Sequence, residues 1–167
     1  FVVLHQMGNH GPAYFKRYPP EFEKFKPACR SNDFSRCSRE EIGNAYDNAI
    51  LYTDDFLGKV IDLLKQNQAQ FEAAMLYVSD HGESLREGGV YLHGLPNAIA
   101  PDEQLHVPAV LWIGKGFDEL NLQALHDKRG MRFSHDNLFH TVLGFLEIET
   151  SIYRPDLDIL KSAKTDH

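Results

Sequence analysis

The sequence lacks the features that would assign it to a membrane-spanning or nucleic-acid-binding class. No apolar run approaches the roughly 20 residues that a membrane-spanning helix requires, and no signal peptide is visible. The net charge of −7 is unlike the basic stripe of a nucleic-acid-binding domain, so we expect no nucleic-acid partner. With 167 residues, of which 43% are hydrophobic and 25% charged, the chain is typical of a globular domain that has its own core.

Cysteine is scarce, since Cys29 and Cys37 are the only two in the chain. A thiolate zinc site is therefore disfavoured, because no further cysteine is present to complete one. A polar segment separates the two residues. Two interpretations stay open on spacing alone: unrelated thiols, or a disulfide that closes a short surface loop in an oxidising compartment.

Three short apolar runs predict strands. Residues 1–5, 73–79 and 107–113 have the length and the apolar or β-branched character of buried strands. A long helix is predicted between the first two, so the elements alternate along the chain. This order predicts an α/β fold in which a mostly parallel sheet is sandwiched by helices. Because the chain starts within the first of these runs, we expect it to be a piece of a longer protein.

Local patterns also predict where the helices lie. Ser38 with Glu41 has the sequence of a capping box, and apolar side chains at helical spacing follow it to about Gln66. A last helix is predicted to begin near Ser134. The polar tail after about Asp158 is expected to be loose.

The residues best suited to bind a metal ion follow the second predicted strand. Ligands bind at the carboxyl ends of strands in parallel sheets, and Asp80 and His81 come directly after residues 73–79. Gly82 permits a turn that lets both side chains reach one metal ion. A carboxylate oxygen and an imidazole nitrogen suit zinc, although a solvated Asp-His pair is the alternative.

Two further histidines are candidates for the same site. His10 and His93 are each followed by glycine, which leaves room for a ligand beside the backbone. Together with the Asp-His pair they indicate a second set of groups for an anionic substrate or a second metal. Glu83 is equally consistent with hydrogen bonding to a ligating imidazole and with capping the following turn. We expect structural or packing roles for the histidines at positions 5, 106, 135 and 140.

A covalent nucleophile is missing from the pattern. Transfer through a covalent intermediate needs an activated Ser, Thr or Cys. The four threonines, Thr53, Thr141, Thr150 and Thr165, do not follow a strand beside candidate metal ligands. The isolated chain is therefore expected to be inactive.

Several segments resemble the phosphoethanolamine–lipid A transferases, which belong with the sulfatases to the alkaline phosphatase superfamily. The similarity runs from Phe1 to about Leu160 and includes one departure, Arg86, where that family commonly has glycine. The segments that carry it are Asn9-His10-Gly11-Pro12-Ala13-Tyr14, Asn44-Ala45-Tyr46-Asp47-Asn48, Ser79-Asp80-His81-Gly82-Glu83-Ser84, Tyr91-Leu92-His93-Gly94 and Ser134-His135-Asp136-Asn137.

The resemblance implies a role for each candidate residue. Asp80 and His81 match two ligands of a catalytic zinc, and His10 and His93 match a pair that binds the substrate phosphate or a second zinc. The two cysteines match a family disulfide. The alkaline-phosphatase-like fold would be partial, with residues 1–167 forming the C-terminal portion of one catalytic domain. The nucleophilic threonine, the remaining ligands and an N-terminal membrane domain would lie upstream.

The resemblance also implies a reaction and a place for the parent enzyme. Phosphoethanolamine would pass from phosphatidylethanolamine to a lipid A phosphate through a phospho-threonine intermediate. The reaction would occur at the periplasmic face of the bacterial inner membrane and confer resistance to polymyxin and other cationic peptides. The alternatives are another enzyme of the superfamily, such as a phosphoglycerol transferase or a sulfatase, or an inert metal-binding unit.

Overall fold

The computed structural model describes residues 1–164, which fall into two units. The first unit is Phe1–Trp112 and the second begins at Ile113. In chain order the helices and strands are α1 (Arg39–Asn67), β1 (Ala74–Val78), β2 (Ser84–Leu85), β3 (Tyr91–Leu92), α2 (Asp102–Leu105), β4 (Ala109–Ile113), α3 (Leu122–Asp127) and α4 (His135–Phe145). Short 3-10 turns occur between them.

Helix α1 carries the apolar core of the first unit. Its predicted capping box is confirmed: the Ser38 hydroxyl accepts a hydrogen bond from the Glu41 backbone N–H, and the Glu41 carboxylate accepts one from the Ser38 N–H. Ile42 and Ala45 are fully buried on one face and pack with Tyr14 and Cys29. The helix therefore begins where its cap predicts and is anchored through its first turns.

A disulfide joins Cys29 to Cys37 just before this helix. Their Cα atoms are 5.7 Å apart, and Cys29 is buried in the core cluster. The Cys29 N–H also donates to the carbonyl of Glu41. The disulfide that the resemblance implied is thus present, and it ties the preceding loop to the first turn of α1.

The prediction of a mostly parallel sheet is wrong for residues 1–164. Strands β2 and β3 pair antiparallel, with Ser84 opposite Leu92, and β1 pairs with β4 in a separate two-stranded sheet. The Ser79 N–H, just after β1, donates to the carbonyl of Pro108, just before β4. The end of β1 therefore lies beside the start of β4, so the two strands run in opposite directions, which is the antiparallel arrangement.

The predicted first strand does not form. Phe1 and Leu4 are 86% and 59% exposed, and no regular secondary structure occurs in residues 1–5. A β-branched apolar run favours an extended chain, but a strand needs a neighbour to pair with its backbone groups. The described part of the chain places no strand beside this segment.

The second unit contains α3, α4 and a packed C-terminal segment. Ser134 caps α4 as predicted, and its hydroxyl accepts a hydrogen bond from the Asp136 N–H. The prediction of a loose tail after Asp158 is wrong as far as residue 164, because Leu160 and Ala163 are buried and Lys164 bridges to Leu120. These two apolar side chains, three positions apart at a short 3-10 turn, are buried although the tail is polar on average. Within residues 1–164, none of the helices is both long and apolar enough to cross a membrane.

Candidate metal centre

Three histidines from separate loops of the first unit converge. His10, His81 and His93 each offer a ring nitrogen, and these nitrogens lie within 4.8 Å of one another. The rings of His81 and His93 are stacked with centroids 3.8 Å apart, and the His10 ring lies edge-on to both at 5.7 and 4.9 Å. The side chains of His81 and His93 are about 30% exposed, at 31% and 30%, so the cluster is open to a ligand.

Backbone carbonyls hold two of the imidazoles in one orientation. His10 Nδ1 lies 2.7 Å from the carbonyl oxygen of Gly11, and His81 Nδ1 lies 3.1 Å from that of Gly82. A carbonyl can only accept, so each Nδ1 carries the proton and donates it to the carbonyl. The opposite nitrogen, Nε2, is then left with its lone pair available to a metal ion or an acidic proton.

Glu83 contacts both the His10 loop and His93. Its carboxylate is buried, accepts a 2.7 Å hydrogen bond from the Gly11 N–H and accepts another from the Tyr14 hydroxyl. His93 Nδ1 lies 3.4 Å from the same carboxylate oxygen that Gly11 contacts. Of the two interpretations that the sequence left open for Glu83, its contacts favour the one that orients an imidazole.

The buried carboxylate changes the acidity of nearby tyrosines. Burial raises the pKa of Tyr14 well above its usual range, and the hydrogen bond to Glu83 and the charge of Glu83 add to the effect. Burial also raises the pKa of Tyr46, with the charge of Glu83 as the next cause. Both phenols therefore stay protonated at neutral pH, and Tyr14 acts as a permanent donor to the carboxylate.

Asp80 lies at the rim of the cluster. Its side chain is 82% exposed, and its Oδ2 is 3.9 Å from His81 Nε2. Its other oxygen accepts a hydrogen bond from the His81 backbone N–H. The two residues therefore lie together after β1, with the Asp80 carboxylate on the side of the nitrogen that remains free.

A cavity of about 240 Å³ adjoins two of the histidines. Its lining is mixed: imidazole, amide and leucine side chains face it together with the backbone of Gly94. Leu95, Asn97, Gln104 and Leu105 form the part that the histidines do not. A group held at the imidazoles would thus have space beside it for a small polar or amphipathic substituent.

The remaining candidate residues have contacts elsewhere. His140 Nδ1 accepts a hydrogen bond from the Arg154 N–H in the second unit. Thr53 donates to the Asn9 side chain, and Thr141 accepts from the Ile159 N–H. Thr165 lies outside the described residues.

The structure brings together the three histidines that the sequence offered as candidates, and it shows contacts of Glu83 that the sequence did not suggest. Tyr14 and the Gly11 N–H are separated from Glu83 by 69 and 72 positions along the chain. One local signal is that Tyr14 follows His10 by four positions, which puts a phenol near this candidate histidine. The pairing of Tyr14 with Glu83 depends on tertiary contacts that local patterns do not encode.

Comparison with known proteins identifies the family. The sulfatase family profile matches residues 1–148, and the chain belongs to that family. Within it, the chain is 47% identical over 167 residues to phosphoethanolamine transferase EptA of Salmonella typhimurium, covering 98% of this chain and 30% of that protein. The resemblance to phosphoethanolamine transferases is thereby confirmed. The chain spans about a third of the length of this curated relative.

Solved structures give the same result for the fold. The soluble domain of lipooligosaccharide phosphoethanolamine transferase A from Neisseria meningitidis is 42% identical, with a TM-score of 0.92 over 98% of this chain and 50% of that one. The C-terminal periplasmic domain of EcEptC from Escherichia coli, solved as a complex with Zn, is 21% identical, with a TM-score of 0.73 over 96% of this chain and 44% of that one. The chain is a partial sulfatase-like domain.

Proposed function

We propose that this chain contributes three histidines and an aspartate to the active site of a zinc-dependent phosphoethanolamine transferase. The observation that carries the proposal is the convergence of His10, His81 and His93, with Asp80 beside them. The similarity to phosphoethanolamine transferases over nearly the whole chain supports the reaction class.

The donor set fits zinc. Imidazole nitrogens are preferred zinc ligands at about 2.0–2.1 Å, so nitrogens of one tetrahedral ion lie roughly 3.4 Å apart. The histidine nitrogens, within 4.8 Å of one another, need only small side-chain rotations to reach that spacing. Carbonyl and carboxylate partners on the Nδ1 atoms are the usual support for ligating histidines.

The residues divide into two roles within this cluster. Asp80 and His81 bind the catalytic zinc, and His10 and His93 bind the substrate phosphate or a second metal. A single ion shared by the three histidines is the alternative arrangement. A ratio of two zinc ions per chain would indicate a second metal at His10 and His93. With one zinc per chain, its loss in His10→Ala would indicate a shared ion, and its retention would indicate phosphate binding.

The chemistry follows from charge and position. A zinc ion held by these residues would supply positive charge to polarise the phosphoryl oxygens and to lower the pKa of a nearby hydroxyl. His10 and His93 act on the anionic group directly or through a second ion. Asp80 offsets part of the metal's charge, and Glu83 keeps His93 and the His10 loop at fixed distance.

The complete protein is proposed to work at the membrane surface. Phosphatidylethanolamine is its donor and lipid A its acceptor at the periplasmic face of the bacterial inner membrane, with a threonine from outside this chain as nucleophile. The added ethanolamine lowers the negative charge of the acceptor, which weakens cationic peptides such as polymyxin. The isolated chain is expected to bind zinc but not to transfer.

Lipid A mass spectrometry tests this function in cells that carry the complete protein. His81→Ala is expected to abolish the phosphoethanolamine mass increment because it removes a ligand that is part of the zinc site. His126→Ala is the matched control, since His126 is exposed in the second unit and contacts Arg129 rather than the cluster. Normal modification by the His81 variant, with zinc content unchanged, would contradict the proposal.

A further inference from the structure

Gln104 is a buried amide between the two loops that carry His81 and His93. It belongs to α2, and only 5% of its surface is exposed. A buried side-chain amide is costly unless its donor and its acceptor both have partners. The partners of Gln104 therefore indicate what the residue does.

The Gln104 backbone N–H donates to the Pro101 carbonyl within its own turn, and its other hydrogen bonds reach the histidine loops. On the His81 side, its backbone carbonyl accepts from the Gly82 N–H at 3.0 Å, and its Nε2 donates to the Ser84 hydroxyl at 2.9 Å. On the His93 side, its Oε1 accepts from the Leu95 N–H at 3.4 Å. One side chain thus joins the residues that follow each of the two histidines.

The chemistry of the position selects glutamine. The Leu95 N–H can only donate, so it requires the amide oxygen, and the amide nitrogen is then directed at Ser84. Asparagine has the same groups but is one methylene shorter and cannot span both partners. The backbone of Gly82 also packs closely against α2, because a Cβ at Gly82 would lie 1.9 Å from the carbonyl oxygen of Glu103.

We propose that Gln104 is a positioning residue that fixes the separation of the His81 and His93 imidazoles. These are the two rings that stack with centroids 3.8 Å apart. The effect on metal binding rests on the function proposed above, whereas the effect on ring separation does not. Glu83 holds His93 to the His10 loop, whereas Gln104 holds the His93 loop to the His81 loop. The two residues therefore act on different pairs of histidines.

The test compares Gln104→Leu with Asn48→Leu in the 167-residue chain. Asn48 is also a buried amide of the first unit, but its hydrogen bonds go to Tyr18, Lys24 and Phe25 and not to the segments that follow His81 and His93. In metal-free protein, an NMR cross-relaxation peak between the imidazole protons of His81 and His93 is expected in the wild type and in Asn48→Leu. It is expected to be lost in Gln104→Leu. In the arrangement in which His81 and His93 share one ion, zinc affinity should fall about 10–100-fold in Gln104→Leu alone, as for other residues that orient metal ligands.

The outcomes separate this proposal from the proposed function. Loss of the imidazole peak without any zinc binding by the wild type would support the positioning role and contradict the metal site. An intact peak in Gln104→Leu would overturn the positioning role whatever the zinc affinity. If Gln104→Leu does not fold, Ser84→Ala removes one of the same bonds, and a peak of unchanged intensity in that variant would overturn the proposal equally.

Discussion

Two parts of the first unit are held together by different means. The start of α1 is held by apolar packing around Ile42 and Ala45 and by the disulfide. The histidine loops are held by buried polar groups, namely Glu83, Ser84 and Gln104. Apolar packing is non-directional and supplies stability, whereas a satisfied hydrogen bond fixes distance and angle. The comparison therefore predicts that changes in the first part lower stability without altering ligand geometry, whereas changes in the second part alter both.

The largest loss of stability is expected from Glu83→Ala. It leaves the Gly11 N–H and the Tyr14 hydroxyl without their acceptor, and each buried unsatisfied donor costs about 1–3 kcal/mol. The free energy of unfolding should fall by roughly 2–5 kcal/mol in urea titrations. Glu83→Gln, which keeps one acceptor oxygen, should lose less. Wild-type stability in both variants would show that the carboxylate contacts do not hold the loops.

Ile42→Ala tests the apolar part. Truncating a buried Ile typically costs 2–5 kcal/mol, about 3 here, because transfer energy and packing are lost together. Ile50→Ala on the same helix is the matched control, since Ile50 is 44% exposed and should lose much less. The zinc affinity of folded Ile42→Ala should equal that of the wild type. A tenfold weaker zinc affinity would contradict the claim that the apolar part affects stability without altering ligand geometry.

Removal of the disulfide should have a slightly smaller effect. The bond links positions 8 apart, and chain-entropy arguments give about 2.5 kcal/mol for a loop of that size. Chemical denaturation of Cys29→Ser/Cys37→Ser against the oxidised wild type measures the loss. Adding a reductant to the double variant is the control and should change nothing. A variant as stable as the wild type would mean that the loop is fixed by its other contacts.

The smallest effect, and a stabilising one, is expected at Arg86. This residue lies between β2 and β3 with φ at 102°, a left-handed conformation that favours glycine. Arg86→Gly should raise the free energy of unfolding by about 1 kcal/mol by removing this strain. Arg86→Ala loses the same charge without relieving the strain, so it should bring no gain. Stabilisation by both variants would point to charge rather than conformation.

Local patterns predicted the elements whose causes are local. The Ser38 cap, the spacing after Ile42 and the apolar runs that became β1 and β4 each depend on residues a few positions apart. The failures concern pairing over long range. Residues 1–5 have the composition of a strand without a neighbour, and the direction of β4 depends on where its connecting loops return. The sequence alone could not supply either fact.

The candidate site shows the same division. His10, His81 and His93 were identifiable because each lies beside glycine in a loop, and Asp80 because it precedes His81. We expect their separation to depend on Glu83 and Gln104, whose partners lie on other loops. The chemical groups of the site are thus encoded locally, whereas their spacing is encoded by buried polar side chains.

The most direct test of the account is a zinc-soaked crystal of this chain measured at the zinc absorption edge. We predict an anomalous peak at bonding distance, about 2.0–2.1 Å, from His81 Nε2 and from at least one further ligand among Asp80, His10 and His93. Chelator treatment should remove the peak without unfolding the chain. A peak confined to other residues, such as His126, or no peak at millimolar zinc, would contradict the claim that this cluster is a metal centre.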